Sequence, residues 1–415
     1  MIPMAIDLAE RYRRIRAATE TANAALSSED MVVQSMPDAS PAKWHLAHTT
    51  WFFETFVLSV SPGYQAFHPE FNFLFNSYYE AVGSRHPRAL RGLVTRPSVD
   101  EIRRYREHVD REMLKLLPRL EPADDLVRIV EIGLNHEQQH LELLLTDIKH
   151  LFSLNPLRPC YRELPLPNDQ PAVPMKWNSF KEGVYSIGHS GKGFSFDNES
   201  PRHRVFLEPF EISTRPVSCG EYLAFMDDNG YGRADLWLAD GWSTCQREGW
   251  QAPLYWERRA DCWNSFTLGG LRAIATNEPV LHVSFYEADA YARWAGSRLP
   301  TEMEWEVACV TASMMPANDG SAEPCRLQPA PMTGNDPSFF DDVWVWTQSA
   351  YSPYPGFKPA AGAIGEYNGK FMCNQLVLRG GSCLTPRSHL RATYRNFFPP
   401  EARWQFTGLR LAHSS

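Results

Sequence analysis

The sequence predicts a two-domain protein, an all-α bundle of four main helices followed by an α+β domain. Three features of the 415 residues lead to this prediction. The first 154 residues carry long apolar runs at helical spacing, six prolines fall between residues 155 and 174, and short alternating segments with most of the tryptophans follow. We therefore predict a helical domain at 1–154, a linker at 155–174 and an α+β domain at 175–415.

The helical domain contains four segments with apolar residues at helical spacing. They are residues 5–25, 45–59, 99–117 and 125–151. Bundles of this kind build metal sites from side chains on facing helices. The loop between the second and third segments contains Tyr78 and Tyr79, followed by Arg85, Arg88 and Arg91. Such a loop is typical either of a functional site or of a solvated basic turn.

The α+β domain is predicted from short strands and two capping boxes. Ser284 with Glu287 and Thr301 with Glu304 each precede an apolar helical run. Strands are predicted at 184–187, 204–212, 343–347, 376–379 and 406–411. The sequence lacks a glycine-rich nucleotide-binding motif and internal repeats, so it does not support nucleotide binding.

Composition narrows the class of protein. The net charge of −8 argues against nucleic acid as a partner. No apolar run approaches the ~18 residues of a membrane span, and the N-terminal segment has no signal-peptide core. The eight cysteines include no C-x-x-C pair, which indicates reduced thiols. We expect a cytoplasmic protein that acts on small molecules and has no obligate protein partner.

His136 and His140 lie four residues apart in the predicted helix that begins at Asp125. They would share one face, about 6 Å apart along the axis, as two metal ligands do in H-E-x-x-H zinc sites. The Glu and Gln residues around them are arranged differently from a zinc protease. By spacing alone, the pair indicates either a metal clasp or ordinary core or surface histidines.

Longer sequence segments resemble a known family. Residues 44–54 (WHLAHTTWFFE) and 135–142 (NHEQQHLE) are similar to the DinB-like bundle of the ergothioneine sulfoxide synthases. Those enzymes join this bundle to a formylglycine-generating-enzyme-like (sulfatase-modifying-factor) domain, which has a C-type-lectin-like fold. The second half resembles that domain at 196–204, 297–306, 379–382, 394–398 and 408–410. The resemblance covers roughly residues 8–412 and implies this two-domain fold.

The resemblance also implies an activity and a metal site. The family uses non-haem Fe(II) and O₂ to join a sulfur donor to imidazole C2 of hercynine (Nα-trimethylhistidine), with sulfoxide formation. It implies that His48 joins His136 and His140 as iron ligands, whereas the neighbouring His45 packs or forms hydrogen bonds. Gln139 resembles the residue that holds the substrate imidazole. Three neutral imidazoles differ from the usual two-histidine, one-carboxylate triad and leave the ion its full charge.

Further roles are implied residue by residue. Tyr78 and Tyr79 resemble a catalytic tyrosine pair, and Arg88 and Arg91 resemble a pair that binds the donor's carboxylate. The segment Asn396, Phe397 and Phe398 matches the acceptor-binding segment. Tyr367 and Tyr394 of the second domain are weaker candidates for the proton donor.

Several departures leave the donor open. Phe397 stands where some relatives carry a tryptophan and gives a weaker cation–π face. Phe398 replaces an acidic residue linked to recognition of γ-glutamylcysteine, which favours free cysteine or another small donor. Val345 and the segment around Cys383 also differ, and a selenoneine synthase that takes a selenosugar is the alternative. Arg88 and Arg91 favour a donor with a carboxylate. A zinc-dependent thiol transferase or hydrolase and a non-catalytic binding module are further alternatives.

Overall fold

The computed structural model describes residues 7–165, 171–191, 193–312, 321–324, 326–331 and 338–414. The chain divides into two compact units. The first, here the helical unit, comprises the chain up to Arg162 together with 321–323 and 361–367, and the remainder forms the second unit. Residues 1–6, and 166–170 of the predicted linker, lie outside the described residues. In the described parts, no helix is long and apolar enough to cross a membrane.

The helical unit confirms the all-α prediction for the first part of the chain. Its helices are α1 (Leu8–Asn23), α2 (Ala42–Phe53), α3 (Phe71–Phe75), α4 (Val99–Leu116) and α5 (Asp125–Leu154). A π-helical turn, Glu54–Leu58, continues α2. Helix α4 begins with a capping box, in which Ser98 and Glu101 each bond the other's backbone N–H. The short helix α3 was not predicted, because five residues give no clear periodicity.

Helices α2 and α5 pack closely at Gly133. A Cβ atom at this position would lie 2.6 Å from Cε1 of Phe53 and 2.9 Å from Cε1 of Phe52. Only glycine therefore allows the backbone of α5 to approach these two rings. The contact is three residues before His136, so it sets the distance between the two helices next to the predicted ligands.

A buried group of charged side chains holds α1, α4 and α5 together. The carboxylate of Glu137 accepts a hydrogen bond of 2.9 Å from Arg16 and one of 2.5 Å from Arg106. Arg16 also pairs with Asp110 at 2.7 Å. Burial alone would raise the pKa of Glu137, but the two guanidinium groups outweigh it and lower the pKa to about 2. Because Glu137 adjoins His136 on α5, these ion pairs also orient the helix that carries the predicted ligands.

The second unit contains short helices and small sheets, as predicted. The helices are α6 (Cys219–Asp227), α7 (Ala239–Glu248), α8 (Phe285–Trp294) and α9 (Glu302–Thr311). The strands are β1 (Trp177–Phe180), β2 (Gly183–Ile187), β3 (His203–Leu207), β4 (Phe210–Ser213), β5 (Trp256–Arg259), β6 (Cys262–Thr267), β7 (Gly270–Ala273), β8 (Trp344–Ala350), β9 (Leu376–Arg379), β10 (Asn396–Phe398), β11 (Thr407–Gly408) and β12 (Ala412–Ser414).

These strands form four sheets in the described residues, ordered β1-β4-β12, β10-β9-β8-β11, β2-β3 and β5-β6-β7. The pairing is antiparallel except between β11 and β8, which run parallel with Thr407 opposite Trp344. The buried faces of β8 and β9 carry aromatic and aliphatic side chains such as Trp346 and Leu378. The fold class predicted for the second half of the chain is therefore confirmed.

Some boundaries differ from the prediction. The single strand expected at 204–212 is two strands, β3 and β4, because Pro209 between them has no N–H for a ladder hydrogen bond. Of the strand expected at 406–411, only Thr407 and Gly408 pair in a sheet. Leu409 and Leu411 instead accept hydrogen bonds from Val217 and Ser213 with their carbonyl groups. Both predicted capping boxes are present and begin α8 and α9.

Candidate metal centre

Three histidines of the helical unit converge at the packing surface of α2 and α5. Helix α2 contributes His48, and α5 contributes His136 and His140 from one face. One ring nitrogen of each lies within 4.8 Å of the other two. His48 and His136 are buried, with 0% and 2% of their surfaces exposed. The structure therefore brings together the three residues predicted as ligands; their role as ligands remains a prediction.

The ring of His48 is held from three sides. Its Nδ1 donates a hydrogen bond of 2.6 Å to the carbonyl oxygen of Phe75, the last residue of α3, where a helix leaves carbonyl groups without intrahelical partners. Trp44 and Trp51 stack on its two sides, with ring centroids 4.5 and 5.4 Å away. The Nε2 atom of His48 has no hydrogen-bond partner among the described residues. This buried nitrogen is therefore in the form that a metal ligand requires.

The protonation of the cluster also suits a metal ion. Burial, followed by the neighbouring histidines, lowers the pKa of His48 and of His140 well below the ordinary value. Burial lowers the pKa of His136 to about 3, and within the part of the chain that the structure describes neither of its ring nitrogens has a hydrogen-bond partner. At neutral pH the imidazoles are uncharged and offer lone pairs. Three such donors fit Fe(II) or Zn(II) and leave coordination positions for substrates.

His45 lies beside the cluster and is not part of it. Its Nδ1 is 2.9 Å from Nδ1 of His140, and its Nε2 is 3.1 Å from Oδ2 of Asp147. The same carboxylate oxygen accepts a hydrogen bond of 2.8 Å from the backbone N–H of Ser40. His45 therefore forms hydrogen bonds, as expected from the sequence, and its partner is one of the predicted ligands.

Asn76 organises the loop that carries the predicted catalytic tyrosines. Its side-chain oxygen accepts from the backbone N–H of Tyr79, and its amide donates to the carbonyl groups of Tyr79 and Gly83. Tyr79 is fully buried, and its ring lies 4.6 Å from that of Tyr78 and 5.6 Å from that of Trp51. Burial, and then the neighbouring tyrosines, raises the pKa of Tyr79 well above its usual value. Its hydroxyl therefore stays protonated.

A segment distant in sequence completes this region of the helical unit. Residues 361–367 pack with the helical unit, and the hydroxyl of Tyr367 donates a hydrogen bond to Oε1 of Gln139. The ring of Tyr367 is 5.7 Å from that of His136 and 6.4 Å from that of Tyr78. The carboxylate of Glu366 accepts hydrogen bonds of 2.9 Å from the backbone N–H groups of residues 80 and 81.

The sequence ranked Tyr367 below Tyr78 and Tyr79, and the structure gives it a hydrogen bond to Gln139, the residue predicted to hold the substrate imidazole. No local pattern could have indicated this contact, since 228 residues separate Tyr367 from Gln139. Its position in an α+β domain by sequence also pointed away from the helical unit. The neighbouring Glu366, which is half-buried, gives no distinct signal in the sequence either.

The two predicted anion-binding arginines have different environments. Arg91 is buried, donates to the hydroxyls of Ser40 and Ser77, and lies over the ring of Trp44 with its Cζ 3.4 Å from the centroid. Among the residues that the structure describes, no carboxylate pairs with it, and its Nε has no partner. Burial, followed by the charge of Arg88, lowers the pKa of Arg91. Arg88 is exposed and donates to the carbonyl of Asp38.

The remaining predicted site residues lie in the second unit. Asn396, Phe397 and Phe398 form β10. The ring of Phe397 stacks on that of Tyr351 with centroids 4.0 Å apart. Val345, one of the departures from the family, is buried in β8, where it pairs with Arg379. The valine is thus part of a sheet core, and the substrate-binding role of β10 remains a prediction.

Comparison with known proteins agrees with this architecture. Residues 11–144 match the DinB superfamily, and residues 171–325 and 332–415 match the Sulfatase-modifying factor enzyme 1-like domain. The chain is 33% identical to the hercynine oxygenase of Mycobacterium tuberculosis over 407 residues, which cover 92% of this chain and 93% of that protein. It is 32% identical to that of Mycolicibacterium thermoresistibile over 91% of this chain and 88% of the relative.

A formylglycine-generating enzyme is similar to part of the chain only. The formylglycine-generating enzyme of Streptomyces coelicolor is 28% identical over 281 residues, which cover 56% of this chain and 87% of that enzyme. The hercynine oxygenases, by contrast, match the helical and α+β parts together. This chain belongs to the hercynine oxygenase family.

Proposed function

We propose that this protein is an Fe(II)- and O₂-dependent enzyme of ergothioneine biosynthesis that joins a thiol to C2 of the hercynine imidazole and forms the sulfoxide. One observation carries the proposal. Three uncharged histidines, two of them buried and one partly buried, converge within 4.8 Å in a chain that is 33% identical to a hercynine oxygenase over nearly its whole length. His48, His136 and His140 would hold the ion.

The proposed reaction balances with O₂ as the oxidant. A thiol R–SH, the imidazole C2–H and O₂ give the sulfoxide R–S(=O)–C2 and one water. The C–S bond replaces the S–H and C–H bonds, one oxygen atom goes to sulfur and the other leaves as water. O₂ therefore accepts four electrons, two from C–S bond formation and two from oxidation of sulfur.

Fe(II), when bound, would supply activation of O₂ and coordination positions for the substrates. The chain's own residues would supply positioning and protons. Tyr367 has its ring beside His136 and its hydroxyl on Gln139, so we assign it the delivery of a proton to the oxygen that leaves as water. The ring of Tyr78 lies beside that of Tyr367 and the ring of Tyr79 beside that of Tyr78, so these two tyrosines would hold Tyr367 in place. The amide of Gln139 would orient the acceptor's imidazole.

The buried cation of Arg91 supports a donor with a carboxylate. A buried guanidinium without a carboxylate partner gains most from an anionic ligand, because the ligand offsets the cost of burying the charge. Cysteine supplies such a carboxylate, whereas a selenosugar does not. The exposed Arg88 would assist through its charge. On β10, the aromatic faces of Phe397 and Phe398 would bind the trimethylammonium group of hercynine, at about 0.5–2 kcal/mol each.

The test supplies the purified protein with one metal at a time. Anaerobic protein loaded with Fe(II) or Zn(II) is mixed with hercynine, O₂ and one donor: cysteine, γ-glutamylcysteine or a selenosugar. Products are identified by mass. The proposal predicts a cysteine–hercynine sulfoxide that requires both iron and O₂. If only the selenosugar gives a product, the protein is a selenoneine synthase. If the zinc form transfers or hydrolyses a thiol without O₂, the proposed iron- and O₂-dependent oxidation is wrong. Protein that binds no metal and forms no product would be a binding module.

A matched series of variants tests the tyrosine assignment. Tyr367→Phe, Tyr78→Phe and Tyr79→Phe each remove one hydroxyl and keep the ring. We expect Tyr367→Phe to lower sulfoxide formation by about 10²–10⁴-fold, the range of a lost general acid, with iron content unchanged. A larger loss in either loop variant would return the role to the loop.

A further inference from the structure

The hydrogen bonds behind His140 form a chain that ends on a carboxylate. His140 contacts His45 through their Nδ1 atoms at 2.9 Å, and His45 contacts Asp147 through Nε2 at 3.1 Å. His45 is 3% exposed and Asp147 is 7% exposed, so water does not compete strongly for these groups. Both hydrogen bonds connect α2, which carries His45, with α5, which carries His140 and Asp147.

The carboxylate determines the direction of every hydrogen bond in this chain. Asp147 can only accept, so a neutral His45 carries its proton on Nε2. Nδ1 of His45 then carries a lone pair and accepts a hydrogen bond from Nδ1–H of His140. The proton of His140 is thereby kept on Nδ1, and its Nε2 keeps the lone pair that a metal ion needs. The backbone N–H of Ser40, which donates to the same oxygen of Asp147, fixes the carboxylate in this orientation.

We propose that His45 and Asp147 are positioning residues for the metal centre, which hold His140 in the tautomer and orientation that bind the ion. The inference rests on the proposed metal site and goes beyond it, because it assigns a role to two residues outside the set of ligands. His48 is held in the same tautomer by a simpler device, the carbonyl of Phe75. For His140 the corresponding contact of Nδ1 is with Nδ1 of His45.

Partners of this kind raise the basicity of a ligand and fix its ring, and their loss typically costs about 10–100-fold in metal affinity. Leucine at position 45 would remove the acceptor for His140. Leucine at position 147 would remove the acceptor for Nε2–H of His45, so His45 could carry its proton on Nδ1 instead. That N–H would donate to Nδ1 of His140, and the proton of His140 would then move to Nε2, the nitrogen that should bind the metal. Asparagine at position 147 would retain an oxygen, which the N–H of Ser40 holds toward His45. The two changes at Asp147 therefore separate the loss of the acceptor from the loss of charge.

The test titrates metal-free protein with Co(II), whose binding is followed by its visible absorption without turnover. We expect His45→Leu and Asp147→Leu to weaken Co(II) binding by about 10–100-fold and Asp147→Asn to stay close to the parent protein. His150→Gln is the control, since His150 lies on the same helix and contacts Ser35 at 2.7 Å. Thermal unfolding of each metal-free variant checks that it folds, and the two leucine variants give independent routes to the same result.

Proton NMR of the Co(II) protein supplies a second readout that a merely structural role would not move. The Nδ1–H protons of His48 and His140 should give exchangeable, hyperfine-shifted signals. In His45→Leu the His140 signal should exchange rapidly with solvent while the His48 signal stays as an internal reference. If this variant bound Co(II) like the parent protein and gave two unchanged signals, the positioning role of His45 and Asp147 would be overturned, but the metal centre would not. Failure of the parent protein to bind Co(II) would overturn the metal centre as well.

Discussion

Gly133 is the position where one methyl group should disturb both the bundle and the metal centre. The substitution Gly133→Ala adds a Cβ that would lie 2.6 Å from Phe53 and 2.9 Å from Phe52. Phe52 is one turn beyond His48 on α2, and its ring is also 5.0 Å from that of His136. A shift of α5 or of this ring therefore changes the separation of two predicted ligands.

The magnitude follows from two opposing effects. Alanine is about 1 kcal/mol better than glycine inside a helix. Carbon atoms normally approach to about 3.5–4.0 Å, so the contact must open by about 1 Å, and overpacking of this kind costs about 1–3 kcal/mol. We expect a net loss of up to about 2 kcal/mol for alanine and a larger loss for Gly133→Val. An accompanying loss of 1.4 kcal/mol in metal binding would be tenfold in affinity.

The assay combines urea unfolding of the metal-free protein, followed by helical circular dichroism, with Co(II) titration. Arg128→Ala, at an exposed position of the same helix, is the control and should leave both quantities unchanged. A Gly133→Ala protein that is about 1 kcal/mol more stable than the parent and binds Co(II) equally well would contradict this prediction, because the added methyl group would then not clash with Phe52 or Phe53.

Three further predictions concern charge and metal. Glu137→Gln should destabilise the helical unit by about 3 kcal/mol, the lower end of the range for breaking a buried ion pair, because Arg16 and Arg106 lose the fully buried carboxylate they share and keep only the partly exposed partners Asp110 and Glu20. Glu131→Gln, in a pair that is one-third exposed, should cost at most about 1 kcal/mol, and equal losses in urea unfolding would contradict this prediction. Burial would raise the pKa of Glu199, but Arg391 outweighs burial and lowers it, so the ion pair stabilises the fold fully above pH about 4.5 and this stabilisation is lost as the pH falls further. Glu199→Gln should lack this part of the acid sensitivity of unfolding. Identical pH profiles of unfolding for the parent and the variant would refute this role of Glu199. Co(II) at about 100 times its dissociation constant should stabilise the protein by about 2.7 kcal/mol, and a midpoint independent of the metal would contradict a site in the folded state.

Features that depend on neighbouring residues could be predicted from the sequence. The spacing of His136 and His140 placed them on one face of α5, since the helical repeat is encoded within a single turn. The capping boxes at Ser284 and Thr301 located the starts of α8 and α9 for the same reason. The predicted strand at 204–212 was wrong where Pro209 interrupts it, although that signal was present in the sequence.

Local spacing alone did not choose between His45 and His48, which lie three residues apart on one helix; the family resemblance named His48. The packing of the two side chains differs. In the described residues Nε2 of His48 has no hydrogen-bond partner, whereas His140 and Asp147 contact both ring nitrogens of His45. The resemblance likewise implied an anion-binding role for Arg91, which stays a prediction. Only the structure shows that Arg91 is a buried cation without a carboxylate partner in the described residues.

The sequence by itself determined the class of each domain, the face that carries two histidines and, through resemblance, the family. The tertiary structure alone decided that Tyr367 meets Gln139 across 228 residues and that His45 contacts both Asp147 and His140. The physical reason is one of range. A helix is set by hydrogen bonds four residues apart, whereas these contacts exist only after the packing of helices and loops has excluded every other partner.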